Sequence, residues 1–211
     1  MNTIQYPKNY VAWDLETSGL SGSQNKILEI GAMVVRDGEI QETHSWLLNN
    51  QIEISEEITG ITGIDKALID AEGRDPKECL DEFFKVLKTK EPHLTHNGIR
   101  FDIPFLAEQT LQIYGISFEK HQQLIGDLYR SSIDTAALMK AKKLGLVRNW
   151  NESFKDFADR TMEIRAFGVK YNVAICCEDL GIDKTGIQQH RALGDVELTK
   201  LIYDRLIFPM P

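Results

Sequence analysis

Asp14 and Glu16 stand two residues apart in Tyr10-Val11-Ala12-Trp13-Asp14-Leu15-Glu16-Thr17-Ser18-Gly19-Leu20, a segment that otherwise reads as a buried strand ended by a Ser-Gly turn. Side chains alternate across a strand, so residues two apart share a face. The two carboxylates would then lie roughly 6–7 Å apart on one side of a core strand and repel each other. Either both reach solvent at the strand's end, or a positive group sits between them. A divalent cation meets the second requirement with a single ion.

The rest of the chain places that strand first in an α/β fold. Ile27–Arg36 and Glu39–Leu48 read as two further strands, joined by Asp37-Gly38, a two-residue hairpin signal. Ser55–Gly63 reads as a short helix and turn. Asp75-Pro76-Lys77-Glu78 opens a firmer helix, with a cap, a first-turn proline and a capping-box glutamate. His93–His96 reads as a short strand, Asn97-Gly98 as a turn, and Asp102–Tyr114 as a helix stopped by Gly115. A short strand near Ser131–Asp134 and helices over Thr135–Lys143, Asn151–Arg165, Val173–Leu180 and Asp195–Leu206 complete the pattern. Strands first, then strands alternating with helices, predict a mixed sheet flanked by helices.

At 211 residues, 42% hydrophobic and 27% charged, the chain has the make-up of one soluble domain. The N-terminus lacks a basic segment followed by an apolar run, so no signal peptide is expected. The longest apolar stretch, Ile27–Val35, is interrupted by Glu29 and is too short to span a bilayer. Cys79, Cys176 and Cys177 are odd in number and lack metal-ligand spacing, which predicts reduced, buried thiols. An intracellular, cytoplasmic protein without a membrane partner is expected. The net charge of −8 excludes a general positive field for coating duplex nucleic acid, though not a grip on a few phosphates. Lys140, Lys142, Lys143 and Arg148 form the densest basic cluster, which is either a solvated helix face or a nucleic-acid contact.

Two more acids stand where an unpaired carboxylate is costly. Asp195 shares a helix face with Leu198 and Ile202, at the edge of the stripe that should pack on the sheet. Asp102 precedes Ile103 and Pro104, where it would serve as an N-cap, and capping competes with metal binding for the same oxygens. His190 lies five residues before Asp195, about 140° away around a helix, so the spacing places it in the preceding loop after Gly186. An imidazole there suits a proton acceptor for an attacking water.

Asp14-Leu15-Glu16-Thr17, His96-Asn97-Gly98-Ile99-Arg100-Phe101-Asp102 and His190-Arg191-Ala192-Leu193-Gly194-Asp195 resemble, in order, the three motifs of the DEDDh 3′–5′ exonucleases. That family includes the proofreading epsilon subunit of bacterial replicative DNA polymerase, ribonuclease T and oligoribonuclease. Ile27–Ala32, Ile61–Ile64 and Ile133–Thr135 are similar as well, so the resemblance runs from about Tyr10 to Leu206.

The resemblance implies a ribonuclease H-like fold in which Asp14, Glu16, Asp102 and Asp195 surround two divalent ions, Mg²⁺ or Mn²⁺, with His190 as general base. Thr17 and the backbone near Leu15–Thr17 would hold the terminal sugar and phosphate. Leu20 and Ile64 would pack against the last bases, or serve only as core. His96 and Asn97 would support the site, or form only a structural turn, and Asp134 stays outside the metal set as a strand-end or cap residue. One departure from the family is a longer, helical insertion at about 141–170, with Trp150, Phe154, Phe157 and Phe167, expected to alter strand access or partner binding.

The function so implied is metal-dependent removal of nucleoside 5′-monophosphates from single-stranded 3′ ends, DNA rather than RNA, with a polymerase or repair partner. An RNA-trimming enzyme of the ribonuclease T or oligoribonuclease kind is the enzymatic alternative. A nucleic-acid-end or polymerase-binding accessory module with little turnover is another, against which the full set of four acids and a histidine counts. The chain ends five residues after Leu206, so no polymerase-binding tail is expected.

Overall fold

The computed structural model describes residues 6–87 and 91–207; the first five residues and the segment on which the tail expectation bears lie outside these. Three strands come first: β1 (Tyr10–Thr17), β2 (Ile27–Arg36) and β3 (Glu39–Leu47). Asp37 and Gly38 connect the last two with φ of 52° and 86°, the positive pair that matches a hairpin turn to the strands' twist. Helices α1 (Glu56–Thr62), α2 (Lys66–Glu72) and α3 (Pro76–Leu87) follow, then β4 (His93–Thr95), α4 (Asp102–Tyr114), α5 (Phe118–Ser131) and β5 (Ser132–Asp134). The chain closes with α6 (Thr135–Leu144), α7 (Phe154–Glu163), α8 (Val173–Asp179) and α9 (Ala192–Ile207).

The sheet order is β3-β2-β1-β4-β5. β1 is antiparallel to β2 and parallel to β4, so the first strand runs through the centre of a mixed sheet. Its side chains divide between two cores. Val11, Trp13 and Leu15 pack with residues of α3 and α4, Trp13 meeting Phe83 edge-on at 5.5 Å. Tyr10 and Ala12 face the other way, with Val196 and Tyr203 of α9 and Phe157 of α7. Asp14 and Glu16 continue this second, even-numbered face and therefore look toward α9.

Two helices, α2 and α5, lie where the sequence pattern predicted none. α7 is shorter than expected because Ser153 caps it, its Oγ accepting the Asp156 amide at 3.0 Å. α9 begins at Ala192 rather than Asp195. The three cysteines are free and buried. Most of the basic cluster is used in holding the fold: Lys140 is buried against the carbonyls of Met162 and Ile164, Lys143 pairs with Asp179, and Arg148 lies 4.3 Å over the Phe154 ring. No helix among the described residues is long and apolar enough to cross a membrane.

Candidate active site

The carboxyl end of β1 is where the acids meet. One carboxylate oxygen each from Asp14, Glu16 and Asp195 lies within 4.8 Å of the others. Their approach depends on Gly31, which pairs across the sheet with Asp14. A Cβ at Gly31 would come within 2.6 Å of the Ala192 carbonyl carbon, so only glycine lets the first turn of α9 settle on β2.

Asp102 stands beside this trio rather than within it. β4 stops after three residues, and its pairing with β1 ends at Ala12–Leu94. The Leu15 amide beyond it is taken by Asp102 Oδ1 at 3.2 Å. The capping reading of Asp102 is therefore corrected: Asp102 is the first helical residue, Phe101 precedes it without a side-chain cap, and the carboxylate reaches across to β1. The cap of the neighbouring α6 is Asp134, which accepts the amides of Ala136 and Ala137. Asp134 also accepts the amides of Asn97 (2.9 Å) and Ile99 (3.3 Å), so it shapes the turn that leads into Asp102.

Electrostatics mark these carboxylates as a strained set. Burial, then the charges of Asp102, Glu16 and Asp195, hold the Asp14 carboxyl well above the usual carboxylate range. Glu16 is pushed up to about 8 by burial and by Asp195 and Glu29. Burial raises Asp102 to about 7 despite the amide of Leu15, and it raises Asp195 although His190 opposes the shift. Like charges crowded in this way are relieved by a cation. The donors are all carboxylate oxygens, with no cysteine among them, which fits a hard divalent ion.

Glu29, to which the sequence reading gave no role, behaves oppositely. It is buried at 1% exposure and sits directly across the sheet from Glu16. Burial alone would raise its pKa, but hydrogen bonds from Arg191, the Ala192 amide and Ser45 outweigh this and hold it below the usual range. The signal in the sequence was an acid inside an apolar run, with an arginine next to His190.

His190 occupies a turn with φ 59°, exposed, its amide bonded to Asp195 Oδ2 at 3.2 Å. A cleft of about 790 Å³ joins it and Asp195 to His96, Asn97 and residues 169–174. His96 is fixed in that wall, with Nδ1 2.9 Å from Thr135 Oγ1 and Nε2 2.9 Å from Tyr171 O. Asn97 adopts φ 61° and its carbonyl accepts the amides of Arg100 and Phe101. Leu20 is 87% exposed and lines a smaller hollow of about 260 Å³ with Arg100, Phe101 and Phe105.

One expected substrate contact is corrected. Ile64 is fully buried, packed with Leu28, Leu47 and Ile69, so hydrophobic burial has claimed the side chain expected against a base. Within the Leu15–Thr17 backbone expected at the terminal sugar and phosphate, the Leu15 amide is bonded to Asp102 and the Leu15 side chain is buried. Thr17 donates its hydroxyl to Gly19 O at 2.7 Å, closing the turn after β1.

A family model described as exonuclease, RNase_T, matches residues 11–203. The chain belongs to this exonuclease family. It is thereby placed among the DEDD 3′–5′ exonucleases of the ribonuclease H-like superfamily, and the acidic cluster of this exonuclease is suited to divalent metal. It is 28% identical over 198 residues to a DNA polymerase III PolC-type of Thermotoga petrophila, a match covering 94% of the chain and 12% of that relative's length. Among solved structures it resembles E. coli exonuclease I in complex with a dA16 oligonucleotide, at 18% identity and a TM-score of 0.69, over 96% of the chain and 42% of the other. It also resembles a 3′-exonuclease bound for recognition of a histone mRNA stem-loop, at 16% identity and a TM-score of 0.64, over 97% and 65%. At such identities these two likenesses concern the fold.

Proposed function

We propose that this exonuclease removes nucleoside 5′-monophosphates one at a time from single-stranded DNA 3′ ends, with two divalent ions, Mg²⁺ or Mn²⁺. The observation that carries the reading is the meeting of Asp14, Glu16 and Asp195 within 4.8 Å on the sheet face covered by α9. Asp102 stands alongside them.

Asp14, Glu16, Asp102 and Asp195 would hold the ions. When bound, the ions supply charge stabilisation for the attacking water and the departing 3′ oxygen. His190 takes the proton of that water as its oxygen attacks phosphorus. The bond from phosphorus to the 3′ oxygen breaks, leaving the phosphate on the 5′ carbon of the released nucleotide and a new 3′-hydroxyl on the strand. The His190 amide bond to Asp195 keeps the base next to the carboxylates. Leu20, exposed at the end of the turn after β1, packs against the terminal base, a contact that tolerates any sequence. Thr17 borders the sugar, and His96 with Asn97 forms the opposite wall of the cleft.

DNA as substrate, and a polymerase as working partner, draw support from the PolC-type relative. Matched DNA and RNA oligomers of one sequence, each labelled at the 3′ end and incubated with Mg²⁺, test the choice. Faster mononucleotide release from DNA is expected. Faster release from RNA would replace this reading with the RNA-trimming one.

A further inference from the structure

Phe167, in the turn between α7 and α8, is fully exposed at 101% of its reference area. The chain around it is firmly held. Lys140 of α6 donates from Nζ to Met162 O (3.1 Å) and Ile164 O (2.7 Å). Lys143 donates to Lys170 O, and His96 Nε2 holds Tyr171 O. Carbonyls on both sides of Phe167 are thus pinned, and Gly168 reverses the chain with φ 77°, a conformation open to glycine without strain. A large aromatic ring presented to water on a fastened turn marks a contact surface.

That turn adjoins the carboxylates' cleft. Val169 and Tyr171 line both the cleft that holds His190 and Asp195 and a second hollow of about 440 Å³, walled by Lys140, Ile164, Arg165 and Phe167. The second hollow also takes in Glu163, and its exposed cation is Arg165. Lys140 is buried with its ammonium on two carbonyls, and among the described residues Arg165 forms no salt bridge. A flat apolar ring beside an exposed arginine, next to the cleft of an exonuclease, suits one ligand chemistry, a base and its phosphate.

We propose that this second hollow is a subsite for a nucleotide behind the reacting 3′ end, in which an unpaired base stacks on Phe167 and a backbone phosphate meets Arg165. The proposal rests on the exonuclease reading above. It assigns the 141–170 segment a substrate role, and it favours single strands because the base faces of a duplex are already covered by their neighbours.

The test is binding of a labelled single-stranded DNA dodecamer by fluorescence anisotropy, with chelator present to prevent cleavage, together with 2-aminopurine placed at successive positions. Phe167→Ala should weaken binding about tenfold, the loss of one base–aromatic stack. It should also abolish the 2-aminopurine quenching at one interior position, and Phe167→Trp should restore both. Equal affinity and an unchanged quenching profile in Phe167→Ala would overturn the subsite. The exonuclease reading fails separately: a wild-type protein that binds the dodecamer yet releases no mononucleotide with Mg²⁺ would refute turnover, while loss of the Phe167-dependent quench would still support the subsite.

Discussion

Arg191 grips Glu29 with two hydrogen bonds, Nε to Oε2 at 2.9 Å and Nη2 to Oε1 at 2.8 Å, and so ties the turn carrying His190 to the middle of the sheet. The same carboxylate accepts the Ala192 amide at 3.1 Å, which fixes the start of α9 and with it Asp195. Glu29→Ala leaves the Arg191 guanidinium unpaired against the protein. Removing one partner of a mostly buried pair should lower stability by about 3 kcal/mol. Urea denaturation measures that loss, and nucleotide release should fall with it because His190 and Asp195 lose their anchor. The depressed pKa of Glu29 means that its contribution is present above the ordinary glutamate pKa and is lost as pH falls through the lowered value.

The acids of the cluster carry the opposite sign. Asp14, Glu16, Asp102 and Asp195 all bind protons more tightly in the folded chain than in the unfolded one. Their ionisation therefore costs stability as pH rises from the ordinary carboxylate range through about 8, the value for Glu16. Thermal melts in chelator should show Tm falling across that window, and Mg²⁺ should restore more of it at the alkaline end than at the acid end. A Mg²⁺ effect on Tm that is the same at both ends would contradict this electrostatic account.

Gly31→Ala should separate folding from function. The added methyl meets Ala192 at 2.6 Å and pushes the first turn of α9 from β2, carrying Asp195 away from Asp14 and Glu16. Overpacking of this kind costs about 1–3 kcal/mol, so the chain still folds. Titration calorimetry with Mn²⁺ should show weakened metal binding compared with wild type, at a temperature where circular dichroism shows both folded.

His190→Ala should slow nucleotide release by about 10²–10⁴-fold, the usual contribution of a general base. Metal affinity in the same calorimeter should be close to wild type. A variant that loses metal altogether would make His190 a ligand rather than a base.

Much of the site follows from local rules. Strand alternation puts Asp14 and Glu16 on one face, helix spacing puts Asp195 with Leu198, and the five-residue gap keeps His190 in a turn. Partner choice across the fold is less visible. Asp102 looks like a cap because its neighbours are helical, yet the free Leu15 amide that claims it arises only when β4 stops short. Ile64 follows a helix in a turn, where no periodicity tells which way a side chain points, and it turned inward. α5 escaped notice because His121 and Leu128 are its only buried residues, too sparse to show a stripe. In the same way α2 buries Ile69 alone. Phe157, grouped by sequence with Trp150 and Phe167, belongs to the core, whereas the other two are exposed.

The most direct test is mononucleotide release from a 3′-labelled single strand by wild-type protein and by Asp14→Ala, each with Mg²⁺ and with chelator. The acidic cluster predicts release by wild type with metal, none in chelator, and a loss of about a thousandfold or more in Asp14→Ala, the several kcal/mol that bound ions contribute. Metal-dependent release that persists in Asp14→Ala would contradict the account.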